Sequence, residues 1–364
     1  MTDPTTVDTR SSGSPGRRAP TVEVVVPCYK YGHLLRGCID SVLGQGGVDA
    51  RVHVIDDASP DGSGEQAERI ALSDPRVRVT RHHANQGHIA TYNEGLAAAE
   101  ADYVVLLSAD DLLAPGCLRR ATAVMEANRS VGFVYGYSRY FTDTDGPPAS
   151  GGRWARSRVE RGSRWIERRL RSATNVISSP EVVVRTSIQH EVGGYRADLP
   201  HSGDLEMWLR LAARADVGIV TGVDQAYYRI HPASMSRTSF AAAFDDVRQR
   251  YAAFDAFLSG SGDMLAAPEE ARRRVGRALA AEALWRAARH RMSATGESAD
   301  RAAVMEEWAL SVAPDACDSP EGRALRLADR LGPLAEAHPA VLLTALRRRA
   351  MDRWLQASRR WRCL

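Results

Sequence analysis

Between Thr21 and Leu107, short β-branched runs alternate with stretches of helical period, and this alternation restricts the fold more than any other feature of the chain. The run Val22-Glu-Val-Val-Val-Pro27 precedes a helix-like stretch from about His33 to Leu43. Val52–Asp56 leads through a Gly/Ser/Pro/Asp turn into a helical stretch from about Gly64 to Leu72. Val77–Thr80 is followed by one from His88 to Ala99, and then comes the strand Tyr103–Leu107. Strands and helices of these lengths imply βαβ units, hence an α/β fold with a mainly parallel sheet and helices on both faces. Such sheets bind ligands beyond the carboxyl ends of their strands. The polar residues gather at those ends: Pro27-Cys-Tyr29, Asp56-Asp57 and Ser108-Ala-Asp-Asp111.

Farther along the chain the pattern is mixed. Phe133–Tyr140 and Glu181–Arg185 read as strands, Asp143–Gly152 as a loop, and Arg153–Arg171 as an arginine-rich stretch containing Trp154 and Trp165. Beyond about Ser239 the chain turns rich in alanine and arginine with helical period, interrupted near Ser259–Gly262, Pro314–Pro320 and Pro333–Pro339. The expected organisation is a disordered leader at 1–20, an α/β domain at 21–240 and a helical C-terminal region at 241–364. The leader has no apolar core of the kind a signal peptide needs, and no apolar run approaches the roughly 20 residues of a membrane span.

Composition narrows the functional classes. A formal net charge of +3 gives no case for nucleic acid. Lys30 is the only lysine, so nearly all positive charge is arginine, as a GC-rich bacterial coding sequence would produce. Five cysteines, odd in number and without a C-x-x-C pair, argue against disulfides or a zinc site and for a reducing cytosol.

Four clusters carry candidate chemistry, each beside a plainer structural role. Asp56 and Asp57 present acceptors above the sheet edge, suited to the imide N–H of a pyrimidine; the plain alternative is an Asp-rich turn with Ser63 as N-cap of the next helix. Asp110 and Asp111 are adjacent carboxylates that repel unless a cation or strong donors intervene, and Mg²⁺ or Mn²⁺ bridged to a diphosphate meets that need. Their plain alternative is an N-cap for the helix after Pro115. Asp204 precedes an amphipathic helix from Met207 to Arg214, as N-cap or as general base toward an acceptor hydroxyl. His231 ends a strand-like run, as a structural histidine or a metal ligand.

Taken in order, these segments resemble family 2 of the inverting glycosyltransferases, whose fold is GT-A. The resemblance runs over about residues 21–240. It is carried by the segment Val24 to Gln45, then Val54-Ile-Asp-Asp-Ala-Ser-Pro-Asp-Gly-Ser63, and then Asn85-Gln-Gly-His-Ile-Ala-Thr-Tyr-Asn-Glu-Gly-Leu96. Leu106-Leu-Ser-Ala-Asp-Asp-Leu-Leu-Ala-Pro115, the segment Gly193 to Leu211 and Tyr-Arg-Ile-His231 complete it. It implies that Pro27 and Tyr29 pack on the nucleotide base and that Asp57, with Asp56 beside it, accepts from the base. It further implies that Asn93 lies near the donor and that Asp110 and Asp111 bind metal and ribose. Asp204 would be the catalytic base, with Glu206 as a second candidate, and His231 would stand near the diphosphate. Three positions depart from the usual pattern: Lys30 in place of Asn, Ser108 in place of Asp, and Gly203 in place of an acid.

The implied function is transfer of a sugar from a UDP- or dTDP-sugar, with a divalent cation, to a glycan, lipid-linked or small-molecule acceptor. A non-catalytic nucleotide-sugar-binding scaffold is the alternative on the same fold. A nucleotidyltransferase would need a glycine-rich, basic phosphate loop after the first strand, which Pro27-Cys-Tyr-Lys-Tyr-Gly32 does not supply. Eight arginines between Arg153 and Arg171 could grip an anionic acceptor or simply form a solvated helix. The basic, aromatic segment Leu346–Arg362 is suited to an anionic membrane surface or a partner. The expected location is the cytoplasm, with peripheral contact at the inner membrane face and homo-oligomerisation both left open.

Overall fold

The computed structural model describes residues 18–143, 146, 148, 154–231, 243–293 and 296–362. Most of the expected leader at 1–20, most of the loop expected at Asp143–Gly152 and the boundary near Ser239 lie outside these residues. The described residues divide into two compact units, the second holding residues 166–175, 243–293 and 296–358.

In the first unit, β1 (Thr21–Cys28), α1 (Gly32–Leu43), β2 (Asp49–Asp56), α2 (Ser63–Ser73), β3 (Val77–Arg81), α3 (His88–Ala97) and β4 (Tyr103–Leu106) follow the expected alternation. After them come β5 (Leu112–Leu113), α4 (Cys117–Ala127), β6 (Val131–Tyr135), β7 (Ser138–Phe141), β8 (Arg156–Glu160) and α5 (Gly162–Ser172), whose residues from 166 onward belong to the second unit. β9 (Val183–Arg185), α6 (Thr186–Val192), α7 (Gly203–Arg214), β10 (Asp216–Thr221) and β11 (Ala226–Arg229) complete the set. Eight strands form one sheet in the order β3-β2-β1-β4-β9-β6-β10-β8. Within it β9 runs antiparallel to β4 and β6, and β8 antiparallel to β10, while the other pairings are parallel. A small second sheet, β5-β11-β7, brings the end of β11 beside the turn that follows β4.

The central strands are buried on both faces, which explains their nearly unbroken apolar runs: Val22, Val24, Val25 and Val26 of β1 are all fully enclosed. Trp165 is buried too, its ring meeting Phe133 edge-on and its indole N–H donating to the Tyr135 hydroxyl at 3.2 Å.

Three expectations change. The single strand expected at Phe133–Tyr140 is two strands, β6 and β7, in different sheets. The break falls at Gly136, where a Cβ would lie within 2.4 Å of Gln225 Cγ and 2.9 Å of the Val220 carbonyl oxygen, so the packing leaves room only for glycine. The arginine-rich stretch is an edge strand plus a helix rather than one basic surface, and Arg169 within it is buried. Neither acidic pair, nor Ser63, caps the helix after it: Gly62 and Gly116, both with left-handed backbone, precede α2 and α4.

The second unit is helical: α8 (Ala243–Ser261), α9 (Pro268–Met292), α10 (Gly296–Val312), α11 (Pro320–Leu331) and α12 (Pro339–Arg362). Proline begins α9, α11 and α12, where its missing N–H costs nothing. α9 packs against α8, α10 and α11, and its Leu279, Ala280, Ala283 and Leu284 are buried. Arg250 crosses this packing with its charge met by Asp246 at 2.8 Å and Glu282 at 3.0 Å.

Candidate active site

At the end of β1, Pro27 is half-buried and Tyr29 is 40% exposed, with the Lys30 ammonium 4.9 Å from its ring centre. Lys30 has φ of +63°, a region where asparagine is tolerated because its amide bonds locally. The Lys30 backbone N–H donates to Ser59 Oγ at 3.0 Å, tying this position to the loop after Asp57.

The two acids at the end of β2 differ sharply. Asp56 is enclosed, with Arg81 Nε 3.8 Å from one oxygen and the other oxygen buried without a hydrogen-bond donor. Asp57 anchors the loop between β3 and α3, accepting from the N–H of Gln86 at 2.7 Å, of Gly87 at 2.9 Å and from His82 Nδ1 at 2.8 Å. Only Oδ2, with the single Gly87 donor, retains evident room for another. His82 Nε2 reaches Glu94 at 2.8 Å, so one imidazole links two carboxylates. Sequence reasoning missed His82; its only signal is its place one residue past β3.

Burial alone would raise the Asp57 pKa, but the bonds from Gln86, His82 and Gly87 outweigh it and hold the carboxyl below its ordinary range. Burial would lower that of His82, yet its bonds to Asp57 and Glu94 hold it above the usual 6.5. The signs follow by linkage. The His82 contribution is complete below its unfolded pKa and is lost as pH rises through the higher folded value. That of Asp57 is present above its unfolded pKa and is lost as pH falls through the lower folded one. Urea melts of His82→Gln should therefore fall furthest below wild type in mildly acidic buffer, the gap narrowing as pH rises. A gap that widens with pH would contradict the network.

The turn after β4 holds the second acidic pair. Asp111 is buried and accepts the Arg229 backbone N–H at 2.9 Å, while Asp110 Oδ2 lies 3.0 Å from His231 Nε2. Arg229 Nε donates to the Asp110 carbonyl at 2.8 Å, its guanidinium 4.5 Å from the Phe141 ring centre. β11 therefore braces the acidic turn across more than a hundred residues. Burial first, and Asp110 second, push the Asp111 pKa well up. Tyr31, whose ring meets His231 edge-on, is pushed up to about 12 by burial and then by Asp110 and Asp111.

These residues fit a divalent cation that shares its coordination with a ligand. Asp110 and His231 are adjacent oxygen and nitrogen donors, and the buried Asp111 sets a second carboxylate beside them. Among the described residues no three acidic, histidine or cysteine side chains form a set able to hold a metal alone. Mg²⁺ commonly takes one or two carboxylates and completes its shell with phosphate oxygens and water.

Asp204 lies in the first turn of α7, after the N-cap Ser202. The half-buried Tyr92 has its phenol pKa raised by desolvation and then by Asp110, Tyr228, Asp111 and Asp204. One phenol thus lies within electrostatic range of both acid sets. Glu206 is committed elsewhere: it is buried and binds Arg210 Nε through both oxygens at 2.8 and 2.9 Å. Arg210 also donates to the Gly194 carbonyl at 2.8 Å, tying α7 to the loop before it. Asn93 likewise spends its amide on the backbone of Tyr195, accepting at 2.6 Å and donating at 2.9 Å. A Cβ on Gly194 would come within 2.4 Å of that amide, so this contact requires glycine.

Residues 23–179 match the family model described as Glycosyl transferase family 2. An uncharacterized glycosyltransferase of Bacillus subtilis, EpsJ, is 36% identical over 110 residues, 30% of this chain and 32% of its own length. An uncharacterized Mycobacterium tuberculosis protein is 28% identical over 246 residues, 64% of this chain and 73% of its own. The hyaluronan synthase of Pasteurella multocida is 25% identical over 54% of this chain, which spans 19% of that enzyme. Among solved structures, residues 1–349 of S. aureus TarS with UDP-GlcNAc superpose with a TM-score of 0.62 at 14% identity, over 90% of this chain and 92% of that one. Mannosyltransferase PcManGT from Pyrobaculum calidifontis, with GDP-Man and Mn²⁺, gives 0.54 at 18% identity over 96% and 89%. The fold is GT-A with a helical C-terminal region. The chain carries a family 2 glycosyltransferase domain.

Proposed function

We propose that this protein is an inverting glycosyltransferase that moves a sugar from a UDP- or dTDP-sugar to a hydroxyl of a glycan, glycolipid or natural-product acceptor, with a divalent cation. The observation carrying this reading is the acidic turn beyond the carboxyl end of β4, where Asp110 lies 3.0 Å from His231 and Asp111 accepts the Arg229 N–H. In this reading Tyr29 and Pro27 pack on the base, and Asp57 Oδ2 accepts its imide N–H. Asn93 acts indirectly, by fixing the Gly194-Tyr195 loop. Asp110 and His231 would hold the cation, which would supply positive charge to offset that of the departing diphosphate.

Asp204 takes the proton of the acceptor hydroxyl as that oxygen attacks the anomeric carbon. The bond from that carbon to the diphosphate oxygen breaks as the new one forms on the opposite face. The products are the inverted glycoside and the nucleoside diphosphate, with the proton left on Asp204. The bound nucleotides of the two structural neighbours, one UDP-GlcNAc and one GDP-Man, bracket the choice of base. An imide donor facing a carboxylate acceptor favours uracil or thymine. A donor screen read by mass spectrometry should show hydrolysis or transfer with UDP- or dTDP-sugars above GDP- and CDP-sugars. Preference for GDP or CDP would overturn the base assignment, and donor binding with neither hydrolysis nor transfer would overturn the enzyme.

A further inference from the structure

No helix among the described residues is long and apolar enough to cross a membrane. α12 nevertheless turns an apolar stripe to solvent. Val341 and Thr344 are buried on one side of the helix, while Leu342, Leu343 and Leu346 on the other are 49–60% exposed. At 100° per residue Ala350 and Trp354 continue the same line, and both are exposed. The stripe is about 18 Å long from Leu342 to Trp354. Folded chains seldom leave a contiguous row of large apolar side chains in water without a use for it.

The flanks of the stripe indicate what covers it. Arg349 and Arg353 border one edge and Arg347 the other, all three exposed. Between residues 339 and 362 the sequence holds seven arginines against one acid, Asp352. A protein partner would need an acidic rim matched on both sides of an apolar ridge. A bilayer rich in anionic lipid supplies that charge everywhere, with an apolar interior beneath. Arginine suits this position because its stem lies along apolar surface while the guanidinium stays at the headgroups. We propose that the exposed face of α12 is a membrane-surface anchor that docks on anionic lipid, with Leu343, Leu346 and Trp354 inserted and the flanking arginines at headgroup level.

The proposal is tested by flotation of the full chain with vesicles of phosphatidylglycerol and phosphatidylcholine, compared with phosphatidylcholine alone. Wild type should float with the anionic vesicles and be released by salt. A triple Arg347→Gln, Arg349→Gln, Arg353→Gln variant should bind on the order of 100-fold more weakly, each arginine being worth roughly fivefold. A Leu343→Glu, Leu346→Glu variant should not float at all. Both sets of positions are exposed, so the circular dichroism spectrum and melting temperature should match wild type. Equal flotation on neutral vesicles, or unchanged flotation of either variant, would overturn the proposal. So would failure of wild type to float, accompanied by a dimer in light scattering that Leu346→Glu dissolves; the stripe would then be a contact between copies of this chain.

Discussion

Asp204→Asn should bind nucleotide-sugar as wild type does and lower kcat by about 10²–10⁴-fold, the usual worth of a general base. The substitution keeps the shape of the side chain and its place in the first turn of α7, so the helix should remain intact. What it removes is the ability to take a proton. The neighbouring acid cannot substitute, because Glu206 is buried and bound through both oxygens to Arg210. Glu206→Gln should therefore act through structure, loosening the Arg210 contact to the loop at Gly194 and lowering the melting temperature. Activity of Asp204→Asn near that of wild type, measured as nucleoside diphosphate release with saturating acceptor, would remove Asp204 from the mechanism.

Asp110→Asn should lower turnover by about 10²–10³-fold, the scale of losing one electrostatic stabiliser at a developing charge. It should also blunt the response to added Mn²⁺ or Mg²⁺. The argument rests on position. Asp110 is the acid paired with His231, whereas Asp111 is turned toward the Arg229 backbone N–H and helps to shape the turn. An unchanged rate in Asp110→Asn would overturn the role of the acid. Wild-type turnover undiminished by a chelator would instead overturn the cation and leave the acid to act on the donor directly.

The βαβ half of the sheet and its strand-end acids were readable because both are local. Each buried strand is a short apolar run; Asp56 and Asp57 close β2, and Asp110 and Asp111 follow β4 within five residues. Where pairing is set at a distance, the sequence carried no such mark. β6 and β7 read as one strand because their apolar residues are nearly continuous, and the glycine between them is required by Gln225, about ninety residues later, which fills the space its side chain would need. β8 was hidden by its composition, since Arg156, Arg158 and Glu160 look like charged helix until the strand is seen at the sheet edge. The role of Asp57 as a loop anchor depends on His82, Gln86 and Gly87, and that of Asp110 is framed by Arg229. Motif reading found the acids; it could not find the groups that hold them.

The solitary lysine has a practical consequence. Lys30 is exposed at the carboxyl end of β1, beside Tyr29 and hydrogen-bonded to the loop that follows Asp57. No other lysine competes with it for an amine-directed reagent. A fluorophore or isotopic methyl group can thus be placed there on the unmodified sequence, without engineering a tag site. Such a label would report on the carboxyl end of β1, with the chain's α-amino terminus, which has the lower pKa, as the other amine to be distinguished.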